Sequence, residues 1–233
     1  MLCTIAATMV IPAAVDISDG HENWRVFFWS AVFTLFIGGL MILFGYQEDA
    51  SGFGVREGFL MTVLAWCGLA AFAAIPFYGL GLSYTDAYFE TVSGLTTTGA
   101  TVIVGLDKLP RGILLWRSLL TGIGGLGIIA TAIIMLPFLR VGGMQLFQTE
   151  SSDRSEKVLP RAYELMVAIS SIYALLVLAC LIAYALLGMT MFDAICHALT
   201  TVATGGFSTH DESFAFFRSS SLEWTAVLFM IIG

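Results

Sequence analysis

Apolar residues run along this chain in long unbroken blocks instead of alternating with polar ones. Met1–Val15, Trp24–Tyr46, Gly58–Leu82, Ile113–Leu139 and Ala162–Met189 are each almost wholly apolar. A hydrocarbon core about 30 Å thick takes ~20 residues of helix to cross. The last four blocks therefore predict full spans, and Met1–Val15 predicts a shorter first one. It has no basic leading region and a second apolar span follows it, so it does not read as a cleavable signal. Polar connectors separate the blocks. The longest, Arg140–Arg161, carries Arg140, Arg154, Lys157 and Arg161, which predicts a cytoplasmic position. Crossing parity then puts Gln47–Glu57 on the same side, with Asp16–Asn23 and Val104–Arg111 outside. Trp224–Gly233 stops inside an apolar run and reads as the end of a fragment of a longer protein.

Two segments, Asp86–Val102 and Asp193–Thr209, are semi-polar, rich in Thr, Gly and Ser, and too short to cross. They lie between full spans, the pattern of a half-helix that enters the membrane and returns. Irregular backbone at that depth survives only where it lines a watery cavity or is buried in protein. The two segments also match each other. Asp86 and Ala87 pair with Asp193 and Ala194, Thr97 with Thr204, and Gly99 with Gly206, all at one offset of 107 residues. Glu57 with Glu164 and Gly81 with Gly188 keep that offset, and Gly125 matches Gly233 once one residue is inserted. The expected unit is an outer helix, a re-entrant loop and an inner helix. The expected fold class is an all-α integral membrane protein. Residues 1–54 would form two extra transmembrane helices and 55–145 a first repeat. Residues 146–233 would form a cytoplasmic loop and a second repeat cut short in its inner helix.

Composition agrees with the pattern. Hydrophobic residues make up 58% of the chain and charged residues 12%, about half the charged share of a soluble domain. The formal charge of −7 forms no basic patch, so nucleic acid is excluded as a partner and the bilayer is the expected surrounding. Cys3, Cys67, Cys180 and Cys196 lie in apolar stretches without ligand spacing and read as small buried hydrophobes.

A pore that strips water from a cation needs main-chain carbonyls at coordinating distance, in dihedrals that Gly permits. Thr96-Thr97-Thr98-Gly99-Ala100 and Ala203-Thr204-Gly205-Gly206-Phe207 are segments of this kind. Each follows a predicted pore helix, Asp86–Leu95 and Asp193–Val202. Asp86 and Asp193 are the expected N-caps, and the helix C-termini would aim their partial negative charge at the ion. Thr96, Thr97, Thr98, Gly99, Ala203, Thr204, Gly205 and Gly206 are the candidate filter. The ion itself is expected at Thr97, Thr98, Gly99, Thr204, Gly205 and Gly206. No catalytic residue and no cofactor is expected; the ion is the substrate.

Val92-Ser93-Gly94-Leu95-Thr96-Thr97-Thr98-Gly99-Ala100-Thr101 closely resembles the first filter of the Trk/Ktr/HKT superfamily of potassium transporters, in its bacterial TrkH-like branch. Trp116-Arg117-Ser118, Gly124-Gly125-Leu126-Gly127 and the run Leu136–Gln145 look like that branch's first inner helix and the loop after it. Ala203–Ser208 resembles its second filter. The resemblance implies four repeats around one pore, preceded by two helices, in the cell (inner) membrane. In that superfamily a Gly at the position of Gly99 goes with potassium and a Ser with sodium, so potassium is the implied ion. A homodimer and a cytosolic nucleotide-binding regulatory subunit are likewise implied.

Other residues carry two readings. Gly122-Ile123-Gly124-Gly125-Leu126-Gly127 spells a dinucleotide fingerprint, but it lies inside an apolar span with no strand before it, so close helix packing is the better reading. Glu90 could add field at the pore mouth or make a hydrogen bond within or between helices. Arg117 could snorkel or pair with an acid. His197 matches Glu90 in the repeat and reads as a satisfied core residue, while His21 and His210 read as isolated loop residues. Asp211 and Glu212 could attract cations or simply be solvated. Ser151, Ser152, Asp153, Arg154 and Glu156 form a polar loop that could dock a regulator or be plain linker. The rivals to potassium uptake are a sodium or unselective channel of the same architecture, an inactive fragment, and a membrane-embedded enzyme. For the last there is no convergent set of acid, base, nucleophile or metal ligands.

Overall fold

The computed structural model describes residues 1–45, 55–139 and 155–233. Among them it is all helix and turn. Trp24–Gly45 (α3), Val55–Ala73 (α4) continued by Ile75–Gly79 (α5), Arg111–Leu139 (α7) and Ser155–Leu186 (α8) contain the four stretches long and apolar enough to cross a membrane. The expected first span is two short helices, Leu2–Thr8 (α1) and Val10–Ser18 (α2), meeting at Met9. Pro12 is the cause: it has no N–H for the Thr8 carbonyl and its ring crowds that carbonyl. Pro76 interrupts the helix at Ala74 in the same way, dividing α4 from α5. Helix α7 starts at Arg111 and α8 at Ser155, earlier than expected. The loop residues Ser151–Arg154 lie outside the described residues, as does most of the loop motif that follows Leu139.

Between the long helices lie two half-helices, Tyr84–Leu95 (α6) and Met191–Val202 (α9). Twelve residues rise ~18 Å, little more than half the hydrocarbon thickness. The last helix is Ser220–Ile232 (α10). The caps of the half-helices differ from expectation. Ser83 Oγ accepts from the Asp86 N–H at 3.1 Å, and Thr190 Oγ1 accepts from the Asp193 N–H at 3.1 Å. Asp86 and Asp193 stand three residues inside, each taking the cap hydroxyl proton at 2.7 Å. A short hydroxyl reaches the third N–H from a residue in extended backbone, which is where Ser83 (ψ 151°) and Thr190 (ψ 152°) sit. A carboxylate already within the first turn supplements the cap and favours the helix dipole.

Burial separates inner from outer helices. In the apolar window of α7, 56% of residues are buried, against 6% in that of α8. Among the described residues helix α7 is thus the interior helix and α8 the peripheral one. One core joins α1–α7 through Ile5, Met9, Phe27, Phe77, Ile113 and Trp116. A second joins α8, α9 and α10 through Cys180, Tyr184, Ala194, Val202 and Leu222. All four cysteines are free; Cys180 and Cys196 are buried, Cys3 is half-buried, and Cys67 lies exposed on the outward side of α4. The start of α7 is fixed from α2: buried Asp16 accepts from the Gly112 N–H at 2.7 Å and from Asn23 Nδ2 at 3.0 Å. That carboxylate takes one of the N–H groups a helix start leaves without a partner. Arg111 pairs with Asp19 beside it, so these two connectors share one side, as parity required.

Candidate functional site

The half-helices stop at the middle of α7, because α7 is notched there by glycine. The Cα of Gly124 lies so near the Leu95 carbonyl that a Cβ would overlap it, and Gly125 faces Ala203. Gly122 packs against Leu199 and Gly127 against Trp66. The glycine run of α7 is therefore a packing seam for the ends of α6 and α9, which explains its nucleotide-like spelling without a nucleotide.

Beyond each half-helix the chain turns through the same torsions. Thr97 has φ 55° and Thr204 φ 53°; Gly99 has φ 75° and Gly206 φ 84°. The Thr98 N–H donates to the Ser93 carbonyl at 2.9 Å and the Gly205 N–H to the Thr200 carbonyl at 2.8 Å. Thr97 and Thr204 likewise donate back to Gly94 and Thr201. Every one of these pairs keeps the 107-residue offset. A β-branched residue in the left-handed region is a true outlier, disfavoured by about 1–3 kcal/mol and held only by its surroundings. Left-handed residues alternating with ordinary ones keep successive carbonyls from pointing to opposite sides, as a pleated strand would. Thr96, Thr98, Ala100, Thr204 and Gly206 are exposed, while Gly205 is buried against Thr121. The candidate filter residues are thus brought together: the two segments abut at Gly99 and Gly205. The partial negative ends of α6 and α9 lie behind them.

A buried polar layer backs the candidate filter. Ser93 Oγ donates to the Ala100 carbonyl. Glu90, fully buried, accepts from the Thr101 hydroxyl at 2.8 and 3.0 Å and from the Val102 N–H at 3.1 Å. Its mate His197 meets Ser208 Oγ at 3.0 Å through Nε2 and the Asp193 carbonyl at 2.9 Å through Nδ1, as a satisfied core residue does. Arg117, 1% exposed, donates from Nε to Glu90 at 2.8 Å and from its terminal nitrogen to the Ser208 carbonyl at 2.9 Å. Its guanidinium also lies 4.2 Å from the centre of the Phe207 ring. Of the two readings open for Glu90 and Arg117, the acid–base pair is the one observed. Single intramembrane charges are visible in the sequence; that these two meet is not, because 27 residues and a chain reversal separate them.

The loops after the two candidate filter segments are tied together. Asp211 accepts from the Gly105 and Leu106 N–H groups at 2.9 and 3.0 Å. His210 contacts Asp107, lies 3.5 Å from Asp193 and stacks on Phe216. His210 is not an isolated loop residue, then, and Asp211 is not simply solvated; both cross-link the two loops. The hydrogen bond from His210 holds the Asp107 carboxyl below its ordinary range.

The chain is similar to proteins of one family throughout. The family described as TrkH, cation transport protein, matches residues 25–233. The Trk system potassium uptake protein TrkH of Vibrio parahaemolyticus is 42% identical over 238 residues, covering 100% of this chain and 49% of that protein. TrkH of Escherichia coli K12 is 40% identical with the same coverage, and TrkG of that organism is 39% identical over 233 residues. The crystal structure of the potassium transporter TrkH from Vibrio parahaemolyticus superposes with a TM-score of 0.86 at 40% identity, covering 99% of this chain and 47% of that one. The chain spans about half the length of the curated relatives it matches.

Proposed function

The chain belongs to the TrkH family of cation transport proteins, and from that premise we propose that it supplies filter-bearing repeats for potassium uptake across the cell inner membrane. Within this reading residues 1–54 are leading membrane helices, 55–145 a first repeat and 146–233 the connecting loop and a second repeat. Main-chain carbonyls of Thr97, Thr98, Gly99, Thr204, Gly205 and Gly206 take the place of water around the ion. The observation that carries the reading is the repeated left-handed pair, Thr97 with Gly99 and Thr204 with Gly206, just beyond half-helices that end beside the middle of the apolar helix α7. Backbone held in such torsions and left exposed at that depth is expected beside an aqueous path. No bond is made or broken in this process. Its selectivity comes from the geometry of the oxygens.

A homodimer and a cytosolic nucleotide-binding regulatory subunit belong to the same proposal, supported by the family resemblance.

The test is ion flux by the full-length gene product in cells that lack other potassium uptake. Wild type should pass potassium and rubidium well ahead of sodium, and Gly99→Ser should narrow that gap. Equal sodium and potassium flux in wild type would favour an unselective channel, and an unaltered ratio in Gly99→Ser would remove Gly99 from the filter.

A further inference from the structure

We propose that Arg117 is the positioning residue that sets the distance between the two filter segments, and with it the ion that they accept. The inference rests on the filter reading above. One arm of the guanidinium holds the first filter through Glu90, whose carboxylate takes the hydroxyl of Thr101 and the N–H of Val102. The other arm holds the second filter directly, at the carbonyl of Ser208, with the face of the group over Phe207. Thr101 and Ser208 are equivalent positions, each a short step past a filter glycine. One planar cation in the wall helix thus grips both return strands at matching places.

A fold-stabilising ion pair would be the plainer explanation, and the second repeat speaks against it. There the pore helix holds the return strand through His197 to Ser208 and the Asp193 carboxylate to Thr209, and among the described residues no ion pair joins that pore helix to its own inner helix. The position matching Arg117, once the inserted residue is allowed for, is Thr225, which only back-bonds to Ser221 of its own helix. A charge on the inner helix of the same repeat is therefore not needed to tether a return strand to its pore helix. What Arg117 and Glu90 add is the reach across to the other filter. A charge buried within an apolar span is disfavoured, and Arg117 is 1% exposed inside one, so its presence calls for a gain beyond tethering. The rigid guanidinium fork is suited to that reach. Two donors at fixed spacing address two acceptors at once, which a lysine ammonium on a flexible stem does not reproduce.

The experiment compares wild type, Arg117→Lys and the double variant Glu90→Gln with Arg117→Gln, as full-length gene product in membranes. Rubidium-to-sodium flux ratio and thermal stability in detergent are both read. Arg117→Lys keeps the charge beside Glu90 but loses the second arm. It is expected to accumulate and to discriminate about tenfold less, the equivalent of one charge-assisted hydrogen bond. The double variant removes both charges together and is expected to lose discrimination by a similar factor. A wild-type flux ratio in either variant, with only the melting temperature lowered, would reduce Arg117 to a structural pair. Failure of both variants to accumulate would overturn a role separable from folding. Gly99→Ser, run alongside, tells the two proposals apart. If it too leaves the ratio unchanged, the filter reading has failed. If it changes the ratio and the Arg117 variants do not, only the clamp has.

Discussion

A Cβ atom placed on Gly99 would run into the carbonyl oxygen of Gly205. Gly99 is also left-handed, at φ 75°, so it is constrained twice over. Gly206 has the same hand, φ 84°, but open space where its Cβ would stand. Gly99→Ala should therefore cost backbone strain and push the two segments apart, whereas Gly206→Ala should cost only the left-handed penalty of about 1–2 kcal/mol. Flux ratios should show Gly99→Ala as the more damaging of the two, with sodium entry rising. Equal effects would mean that the segments do not meet at Gly99 and Gly205.

The glycine seam of α7 makes an ordered claim about packing. A Cβ at Gly124 would strike the Leu95 backbone, which cannot move without bending the end of α6; a Cβ at Gly122 meets the tip of Leu199 at 2.9 Å. Side-chain tips yield more easily than carbonyls. Gly124→Ala should lower stability by the usual overpacking range of about 1–3 kcal/mol and Gly122→Ala by less. Thermal melting of the purified protein would rank them, and the reverse order would contradict the seam.

Asp16 predicts a long-range effect of a change in the first helices. Asp16→Ala would leave the buried Gly112 N–H without its acceptor, a loss of about 1–3 kcal/mol. Because Gly112 opens α7, the loss should be felt at the filter wall. Melting temperature should fall, and Asp16→Asn, which keeps an acceptor oxygen, should recover part of it. No difference between Ala and Asn would mean that the cap contributes nothing.

Asp107 carries a pH signature. Its folded pKa is lowered, first by the hydrogen bond from His210. For a depressed acid the stabilisation is complete above the unfolded value of ~3.9 and is lost as pH falls through the folded value. The melting difference between wild type and Asp107→Asn should thus shrink towards zero as pH drops below about 4. A difference that persisted at pH 2 would show that the carboxylate charge is not what His210 recognises.

Much of this fold is written locally. Block length and polarity mark the spans, and Thr/Gly composition marks both candidate filter segments, because those signals sit within a few residues of each other. The caps lie three residues before the expected ones. Asp86 and Asp193 are the more conspicuous cap formers, yet Ser83 and Thr190 have the extended backbone a cap needs. The division of the first span at Met9 follows from Pro12, a local cue outweighed by the apolar run around it. The contact of Arg117 with Glu90 needs the chain reversal inside the first repeat, and those of Arg117 with Ser208 and of His210 with Asp107 depend on how two repeats meet. No pattern within either repeat encodes that meeting.

Threonine at positions 97 and 204 stands where an isolated peptide would not keep it. Cut from its setting, the stretch around either residue would relax and its oxygens would scatter. The shape of these two segments is therefore a collective property, maintained by the helices packed behind them. A mutation that slackens the wall by a fraction of a turn should make the passage indiscriminate long before the protein comes apart.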